Sequence, residues 1–233
     1  LLVGQIVDWA IKRLPENKKI ISKDIIRAFK IQFRPNYILM FLTSAIYVLL
    51  VYMYGIQKFL IGNLELIKYL LLAPMLLSAF MIDCKSKIIP NRLNLTMFEV
   101  GIIIAFLYGF SNVAITVDML LGMLVGGGIF LAITLVGSLI YGKEALGFGD
   151  VKLMGALGLY FGVSNILAIS AMSFLIGAIL GIILIVTKIK KSDEYIPFGP
   201  FIVIATFISI FVPFDILLKT LLVIFTLGTY KAV

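Results

Sequence analysis

The stretch LELIKYLLLAPMLLSAFMI, residues 64–82, is apolar along most of its length and is followed at once by the carboxylic side chain of Asp83. A run of about 20 predominantly apolar residues is long enough to cross the hydrocarbon core of a bilayer as an α-helix. The stretch therefore predicts a membrane-spanning helix that ends beside a carboxylate.

Apolar runs recur along the whole chain, which has 233 residues, 62% of them hydrophobic and only 14% charged. A soluble domain carries about 25% charged residues, so most of this surface is not expected to face water. The runs and the composition predict an all-α fold, that of a polytopic integral membrane protein with eight or nine transmembrane helices. The other runs are residues 1–11, 37–55, 93–110, 119–140, 151–187, 198–212 and 216–229.

The run 151–187 is long enough for two spans, a short one up to Gly162 and a longer one after Ser164. Several glycines are paired at four-residue spacing, which favours close packing between membrane helices. These pairs are Gly122 with Gly126, Gly158 with Gly162, and Gly177 with Gly181.

The net charge of +8 arises from 20 basic and 12 acidic residues. Most of the Lys and Arg residues fall in four segments, and each interval between consecutive segments has room for two spans. All four segments can therefore lie on one side of the membrane, and an excess of basic residues marks that side as cytoplasmic. The excess also indicates contact with anionic lipid, whereas nucleic acid is not an expected partner. The four segments are residues 12–34, 85–92, 142–152 and 188–191.

Residues 12–36 form the only sizeable segment expected to face water. Apolar residues at near-helical spacing favour a basic amphipathic helix on the membrane surface, and an ordinary basic connector explains the segment equally well. We divide the chain into residues 1–63, which hold the N-terminal spans and this short basic cytoplasmic segment, and residues 64–233, a membrane-embedded core.

The chain has no histidine and only one cysteine. These numbers exclude an HExxH metalloprotease, a Ser-His-Asp hydrolase and a four-cysteine zinc site within this sequence. No metal ligands are predicted, and carboxylates are the groups left to carry chemistry.

Two carboxylates occupy similar positions at the ends of predicted spans. Asp83 ends one apolar run, and Asp150 lies between a glycine-rich turn and the next run. Ionisable residues at membrane depth are expensive, so each is a candidate functional residue. In the topology above both lie at the cytoplasmic edge, where they can face each other. The alternative is that each aspartate caps a helix or is hydrated at the interface.

Two facing carboxylates suit the hydrolysis of a peptide bond. When they are close, both cannot ionise cheaply, and one keeps its proton. The ionised partner then activates a water as general base, while the protonated partner polarises the scissile carbonyl and later protonates the leaving amine.

Both aspartates belong to longer motifs. The three motifs, in chain order, are DCKSKIIPNRLNLT at 83–96, LGFGDVKL at 146–153 and IPFGPF at 196–201. Together they resemble the prepilin peptidase family, membrane enzymes that cleave the leader from type IV pilin precursors. The Gly-x-Gly-Asp element alone is shared more widely, for example with presenilin-like and archaeal preflagellin peptidases.

The resemblance implies an aspartic endopeptidase of the inner (cytoplasmic) membrane whose active site faces the cytoplasm. The catalytic aspartates of the family fall on Asp83 and Asp150. The implied substrate is a pilin or pseudopilin precursor, such as those of type IV pili or type II secretion, whose basic leader lies on the cytoplasmic face. The peptidase reaction itself needs no cofactor.

Five further residues are candidates for substrate binding or for support of the site. Gly147 and Gly149 permit a positive φ or a close backbone approach beside the second aspartate, although close helix packing is the alternative. Lys152 is either a charge partner of a carboxylate or a topology determinant, and Pro90 fixes loop and helix-start geometry. Glu99 lies inside a span, where it faces the site, pairs with a lysine or reaches an interface.

The N-terminal part departs from the family pattern. Many members carry two CxxC pairs in a cytoplasmic segment, which implies a zinc-stabilised region associated with N-methylation of the mature pilin by S-adenosylmethionine. Residues 15–34 contain no cysteine, so residues 1–63 are a reduced, cysteine-free counterpart of that region. Whether N-methylation and the use of S-adenosylmethionine are retained stays open.

Two other functional classes fit part of the pattern. A proton-coupled membrane transporter could use Asp83, Glu99 and Asp150 as a relay, although the sequence contains none of the internal repeats typical of many transporters. The third class is a membrane assembly factor without catalytic activity.

Overall fold

The computed structural model describes residues 2–15, 36–56, 63–142, 146–187 and 196–226, and every regular element in these ranges is a helix. This confirms the predicted all-α class. Most of the segment 12–36, for which an amphipathic helix or a connector was predicted, lies outside the described residues. The helices are α1 (Leu2–Arg13), α2 (Tyr37–Tyr54), α3 (Leu64–Ser86), α4 (Asn91–Gly109), α5 (Val113–Tyr141), α6 (Phe148–Val186), α7 (Gly199–Phe211) and α8 (Phe214–Phe225).

Five of the described helices, α2 to α6, are long and apolar enough to cross a membrane, and α7 is a shorter apolar helix. Many large apolar side chains on these helices are exposed, as lipid-facing residues are, including Phe106 and Leu139. A membrane protein with several spans is therefore confirmed. The count of eight or nine spans stays a prediction, since it also requires α1, α7, α8 and both halves of α6 to cross.

Gly162 divides α6 into two helices, 148–161 and 163–186, with the glycine at φ 70° and ψ −177°. The division predicted from the length of the run is confirmed. Asp118 on α5 provides a hydrogen-bond acceptor at the break, because its carboxylate accepts a hydrogen bond from the backbone N–H of Val163 at 3.2 Å. A Cβ atom at Gly162 would collide with that carboxylate.

Helices α5 and α6 form the most extensive helix pair of the fold. Gly122 and Gly158 face each other at their crossing, and a Cβ at Gly158 would collide with the backbone of Gly122. The predicted close packing is confirmed at this pair. It does not extend to Gly181, around which the structure leaves space for a side chain.

Helix α6 packs against α4, α5, α7 and α8, while α3 packs against α1, α2, α4 and α7. Helices α4 and α7 therefore contact both α3 and α6. This arrangement brings the C-terminal end of α3 close to the N-terminal end of α6, and the interior between them is filled by fully buried side chains such as Leu76, Ile82 and Leu153.

The connection from α3 to α4 is short and closely folded. Helix α3 ends where Lys87 adopts a left-handed conformation, with φ 55° and ψ 31°, and its N–H donates to the carbonyl of Asp83 at 2.9 Å. Pro90 precedes α4 as its N-cap residue, and its carbonyl accepts from the N–H of Leu93 at 3.0 Å. A proline fits this position because its fixed φ suits a helix start and no N–H is needed there. The predicted role of Pro90 in helix-start geometry is thus confirmed.

Candidate active site

A cavity of about 350 Å³ lies between the end of α3, the connection to α4 and the start of α6. Both predicted aspartates line it, although they are far apart in sequence. The complete lining is Asp83, Lys87, Ile88, Ile89, Gly147, Phe148, Gly149 and Asp150. The cavity thus joins the first motif to the second.

Asp83 lies in the last turn of α3 with only 3% of its surface exposed. Its Oδ2 atom is buried and has no hydrogen-bond partner among the described residues. The carboxyl group lies against the first residue of α7, because a Cβ built on Gly199 would be 2.5 Å from Oδ2 and 3.1 Å from Cγ. The third motif is therefore also part of the site, through the absence of a side chain at Gly199.

Asp150 lies in the first turn of α6 and is 4% exposed. Its N–H donates to the carbonyl of Gly147 at 2.9 Å, which fixes the start of the helix. Asp150 and Asp83 line the same cavity. Two buried carboxyl groups therefore line one cavity, and neither is paired with a cation among the described residues.

The two glycines of the second motif act through close approach. A Cβ at Gly149 would lie 3.1 Å from the Cβ of Ile89, which is tighter than ordinary van der Waals contact. Neither Gly147 nor Gly149 is among the glycines of positive φ in the described residues. The predicted close approach is therefore found at Gly149, whereas the alternative use of a left-handed conformation is not.

Asn94 links the first and second motifs. Its Nδ2 atom donates to the carbonyl of Gly149 at 3.0 Å, across the interface between α4 and α6. Asn94 and Gly199 were missed in the sequence as residues that contact the site. Both stand inside quoted motifs, but a single amide or glycine gives no local signal of the distant residue that it contacts.

Three of the candidate supporting residues, Pro90, Glu99 and Lys152, are not among the residues that line the aspartate cavity. The Nζ atom of Lys152 donates to Oδ1 of Asn91 at 2.7 Å, and neither residue is part of the cavity lining. Glu99 is exposed on α4, one helix turn beyond Leu95. Among the described residues, no group of three or more His, Cys, Asp or Glu side chains is placed to hold a metal ion.

Comparison with known proteins agrees with the motifs. A family model described as the type IV leader peptidase family matches residues 70–182, a region that contains both aspartates. The prepilin leader peptidase/N-methyltransferase of Aeromonas hydrophila is 32% identical over 141 residues, which are 60% of this chain and 48% of that protein. The proteins of the same name in Pseudomonas aeruginosa and Xanthomonas campestris pv. campestris are 33% and 35% identical, over 60% and 56% of this chain and 48% and 44% of their own lengths.

The chain spans about half the length of these curated relatives. No solved structure matches it. Nothing in these comparisons supports the transporter alternative. The resemblance read from the three motifs is confirmed, since residues 70–182, with both aspartates of the cavity, match the model of the type IV leader peptidase family.

Proposed function

We propose that this protein is a prepilin leader peptidase, an aspartic endopeptidase that removes the basic leader from pilin-like precursors. The observation that carries the proposal is that Asp83 and Asp150, both buried, line one cavity although they come from different helices. The family match of residues 70–182 and the names of the relatives support it.

The reaction uses one carboxylate and one carboxylic acid. The carboxylate takes a proton from water, and the resulting hydroxide forms a bond to the scissile carbonyl carbon. The carboxylic acid donates a hydrogen bond to the carbonyl oxygen and later gives its proton to the leaving nitrogen. The C–N bond then breaks, leaving a carboxyl terminus on the leader and a free amine on the mature chain.

The substrate helix enters laterally from the membrane with its basic leader on the cytoplasmic side. In this proposal the protein lies in the inner (cytoplasmic) membrane and crosses it eight or nine times. The aspartate cavity then lies at the cytoplasmic edge, beside the basic loops that mark that side. Both pilin and pseudopilin precursors fit this description of the substrate.

Cleavage of a purified pilin-like precursor by the purified protein in lipid nanodiscs tests the proposal. Replacing Asp83 or Asp150 by Asn removes one carboxyl group with little change in shape. We expect each variant to lose at least about 10³-fold in rate, since one of the two proton transfers loses its donor or acceptor. Cys84→Ser is the matched control, because Cys84 is exposed and adjacent to Asp83, and it should cleave normally. Undiminished cleavage by either aspartate variant contradicts the assignment.

N-methylation of the new amino terminus is a second activity named in the relatives. It would require S-adenosylmethionine as the methyl donor. The two CxxC pairs cannot form in this chain, since Cys84 is its only cysteine. A mass spectrum of the cleaved product, recorded with and without S-adenosylmethionine, reports the cut site and any added methyl group together.

A further inference from the structure

Helices α4 and α6 are joined by hydrogen bonds from buried side chains on both of them. Nδ2 of Asn94 on α4 donates to the carbonyl of Gly149 on α6 at 3.0 Å. The hydroxyl of Tyr160 on α6 donates to the carbonyl of Met97 on α4 at 2.7 Å. Both donors are almost fully buried, with Asn94 4% and Tyr160 1% exposed. The two bonds are of the same kind and join the same helices, but only the first lies next to Asp150.

The bond from Asn94 acts on the peptide unit that leads into Asp150. A peptide unit is planar, so the carbonyl of Gly149 and the N–H and Cα of Asp150 lie in one plane. Asn94 holds the carbonyl end of that plane, and the N–H end donates to the carbonyl of Gly147 at 2.9 Å. The plane is therefore held at both ends. Because the Cα atom of Asp150 belongs to the plane, a tilt of the plane moves its carboxyl group.

The rest of the interface between α4 and α6 does not depend on Asn94. Met97 follows Asn94 after three residues and Gly101 follows Met97 after four, so all three lie on one face of α4. Met97 accepts the second hydrogen bond, and a Cβ at Gly101 would lie 2.9 Å from the Cβ of Leu159. The helices are thus in close contact beyond their first turns. Loss of the Asn94 bond should therefore act on the first turn of α6 and not on the whole interface.

Stability alone does not explain an asparagine at this position. The Oδ1 atom of Asn94 is buried and has no hydrogen-bond partner among the described residues. A buried acceptor without a partner costs a free energy comparable to the one that a hydrogen bond contributes, so the gain from the bond to Gly149 is largely offset. A leucine is similar in size and carries no polar atom that would need a partner there. The contribution of Asn94 is therefore to geometry.

Resting on the proposed function, we propose that Asn94 is a positioning residue of the peptidase reaction, which holds the peptide plane before Asp150 and so directs its carboxyl group into the cavity shared with Asp83. Asn94 is not part of the lining of that cavity and takes no part in proton transfer. It acts through the backbone of Gly149. A displacement of about 1 Å in a reacting group can cost on the order of 10²-fold in rate, so loss of this bond should slow the chemical step.

Precursor cleavage by Asn94→Leu tests the proposal, and Tyr160→Phe is the matched control. Tyr160→Phe removes the other buried bond between the same helices, about 15 Å from Asp150 along α6 at 1.5 Å per residue. We expect Asn94→Leu to lower kcat by about 10- to 100-fold, with KM within about twofold of the wild type and a similar melting temperature. Tyr160→Phe should keep the wild-type kcat and KM, although its melting temperature falls.

Asn94→Asp replaces the amide by a carboxyl group of the same shape and makes the effect depend on pH. The protonated carboxyl group can donate to the carbonyl of Gly149, whereas the ionised carboxylate can only accept and repels that carbonyl. We expect kcat of Asn94→Asp, divided by that of the wild type at the same pH, to rise at least about fivefold from about pH 8 to about pH 5. The corresponding ratio for Asn94→Leu should not change with pH. Division by the wild type removes the pH dependence of the two catalytic aspartates.

The outcomes distinguish this inference from the proposed function. If the wild type and Tyr160→Phe both fail to cleave the precursor, the proposed function is wrong and the inference falls with it. If both cleave and Asn94→Leu keeps the wild-type kcat, or loses activity only through a higher KM, Asn94 is not a positioning residue. If Asn94→Leu fails to fold, a ratio for Asn94→Asp that is independent of pH overturns the inference. An equal loss of kcat in Tyr160→Phe would also overturn it, since any bond between the two helices would then have the same effect.

Discussion

At the scale of single residues, the carboxyl group of Asp83 is positioned by a residue that has no side chain. Gly199 begins α7 and lies so close to Oδ2 that a methyl group there would be 2.5 Å from it. The aspartate, the connection through Ile89 and the start of α7 meet at this point, since Ile89 is also 3.0 Å from the same hypothetical Cβ. The geometry of the two carboxyl groups therefore depends on Gly199.

Gly199→Ala should disable the reaction while leaving the protein folded. The added methyl group displaces the Asp83 carboxyl group, and a shift of about 1 Å in a reacting group can cost on the order of 10²-fold in rate. We expect a fall of that size in kcat, measured from initial rates of precursor cleavage, with a melting temperature close to that of the wild type. The control is Gly181→Ala, since nothing lies within 4 Å of a Cβ there. A wild-type rate for Gly199→Ala would contradict this account.

The sequence revealed the two aspartates but not their immediate neighbours. An acidic side chain at the end of an apolar run can be recognised in the sequence itself. Placing a charge at membrane depth costs free energy, so such a residue is a candidate functional residue. Gly199 and Asn94 acquire their roles only when distant helices meet. Lys152 and Glu99, which the sequence also favoured as charged residues near the membrane, lie away from the aspartate cavity.

At the scale of helices, the close approach of α5 and α6 positions α6, the helix that carries Asp150. The two helices cross at Gly122 and Gly158 with backbone atoms in direct contact. Further along, Asp118 of α5 caps the second half of α6 through Val163, beyond the break at Gly162. The two helices are thus joined by close backbone packing at Gly122 and Gly158 and, further along, by the hydrogen bond between Asp118 and Val163.

Gly158→Ala should loosen this pair. Its methyl group would collide with the backbone of Gly122, which cannot move aside as a flexible side chain could. We expect the free energy of unfolding to fall by about 1–3 kcal/mol, the usual cost of overpacking. Gly128→Ala is the matched control in α5, where a Cβ meets nothing within 4 Å and helix propensity improves by about 1 kcal/mol. Denaturant titration in detergent micelles measures the free energy of unfolding of both variants. A value for Gly158→Ala equal to that of the wild type would refute the prediction.

The sequence predicted the helices better than their ends. The break at Gly162 followed from the length of one apolar run, since 37 residues exceed a single span. Helix α5, in contrast, begins at Val113 and not at the predicted 119, because Asn112 caps it through a bond from the N–H of Ala114 to Oδ1 at 2.9 Å. Asp118 then falls inside the helix, where its bond to α6 could not be foreseen without the fold.

At the scale of the whole molecule, the site lies at one end of the helix bundle. Asp83 is in the last turn of α3 and Asp150 is in the first turn of α6, so both are at the same end. Helix α4 leads from this end to the other over about 28 Å, at 1.5 Å per residue. The orientation of the protein in the membrane therefore also determines the side on which the substrate is cut.

The single cysteine provides a direct test of orientation. Cys84 is exposed next to Asp83, so a membrane-impermeant maleimide should label it in inverted membrane vesicles and not in intact spheroplasts. Ser111 lies at the other end of α4, and Cys84→Ser combined with Ser111→Cys should reverse the pattern. Cys84→Ser alone should remain unlabelled from either side. Labelling of the native cysteine in spheroplasts would place the aspartates on the outer face and contradict a cytoplasmic cut.

The first half of α6 is buried among its neighbours, and from Leu153 to Phe161 no residue is exposed. Protein atoms and not acyl chains therefore surround the segment that follows Asp150. The buried residues of α3, among them Leu76, Ala79 and Ile82, shield Asp83 in the same way. Transfer between detergents and bilayers of different thickness should consequently leave the rate of the hydrolytic step unchanged. Lipid composition should instead affect how fast a substrate is captured.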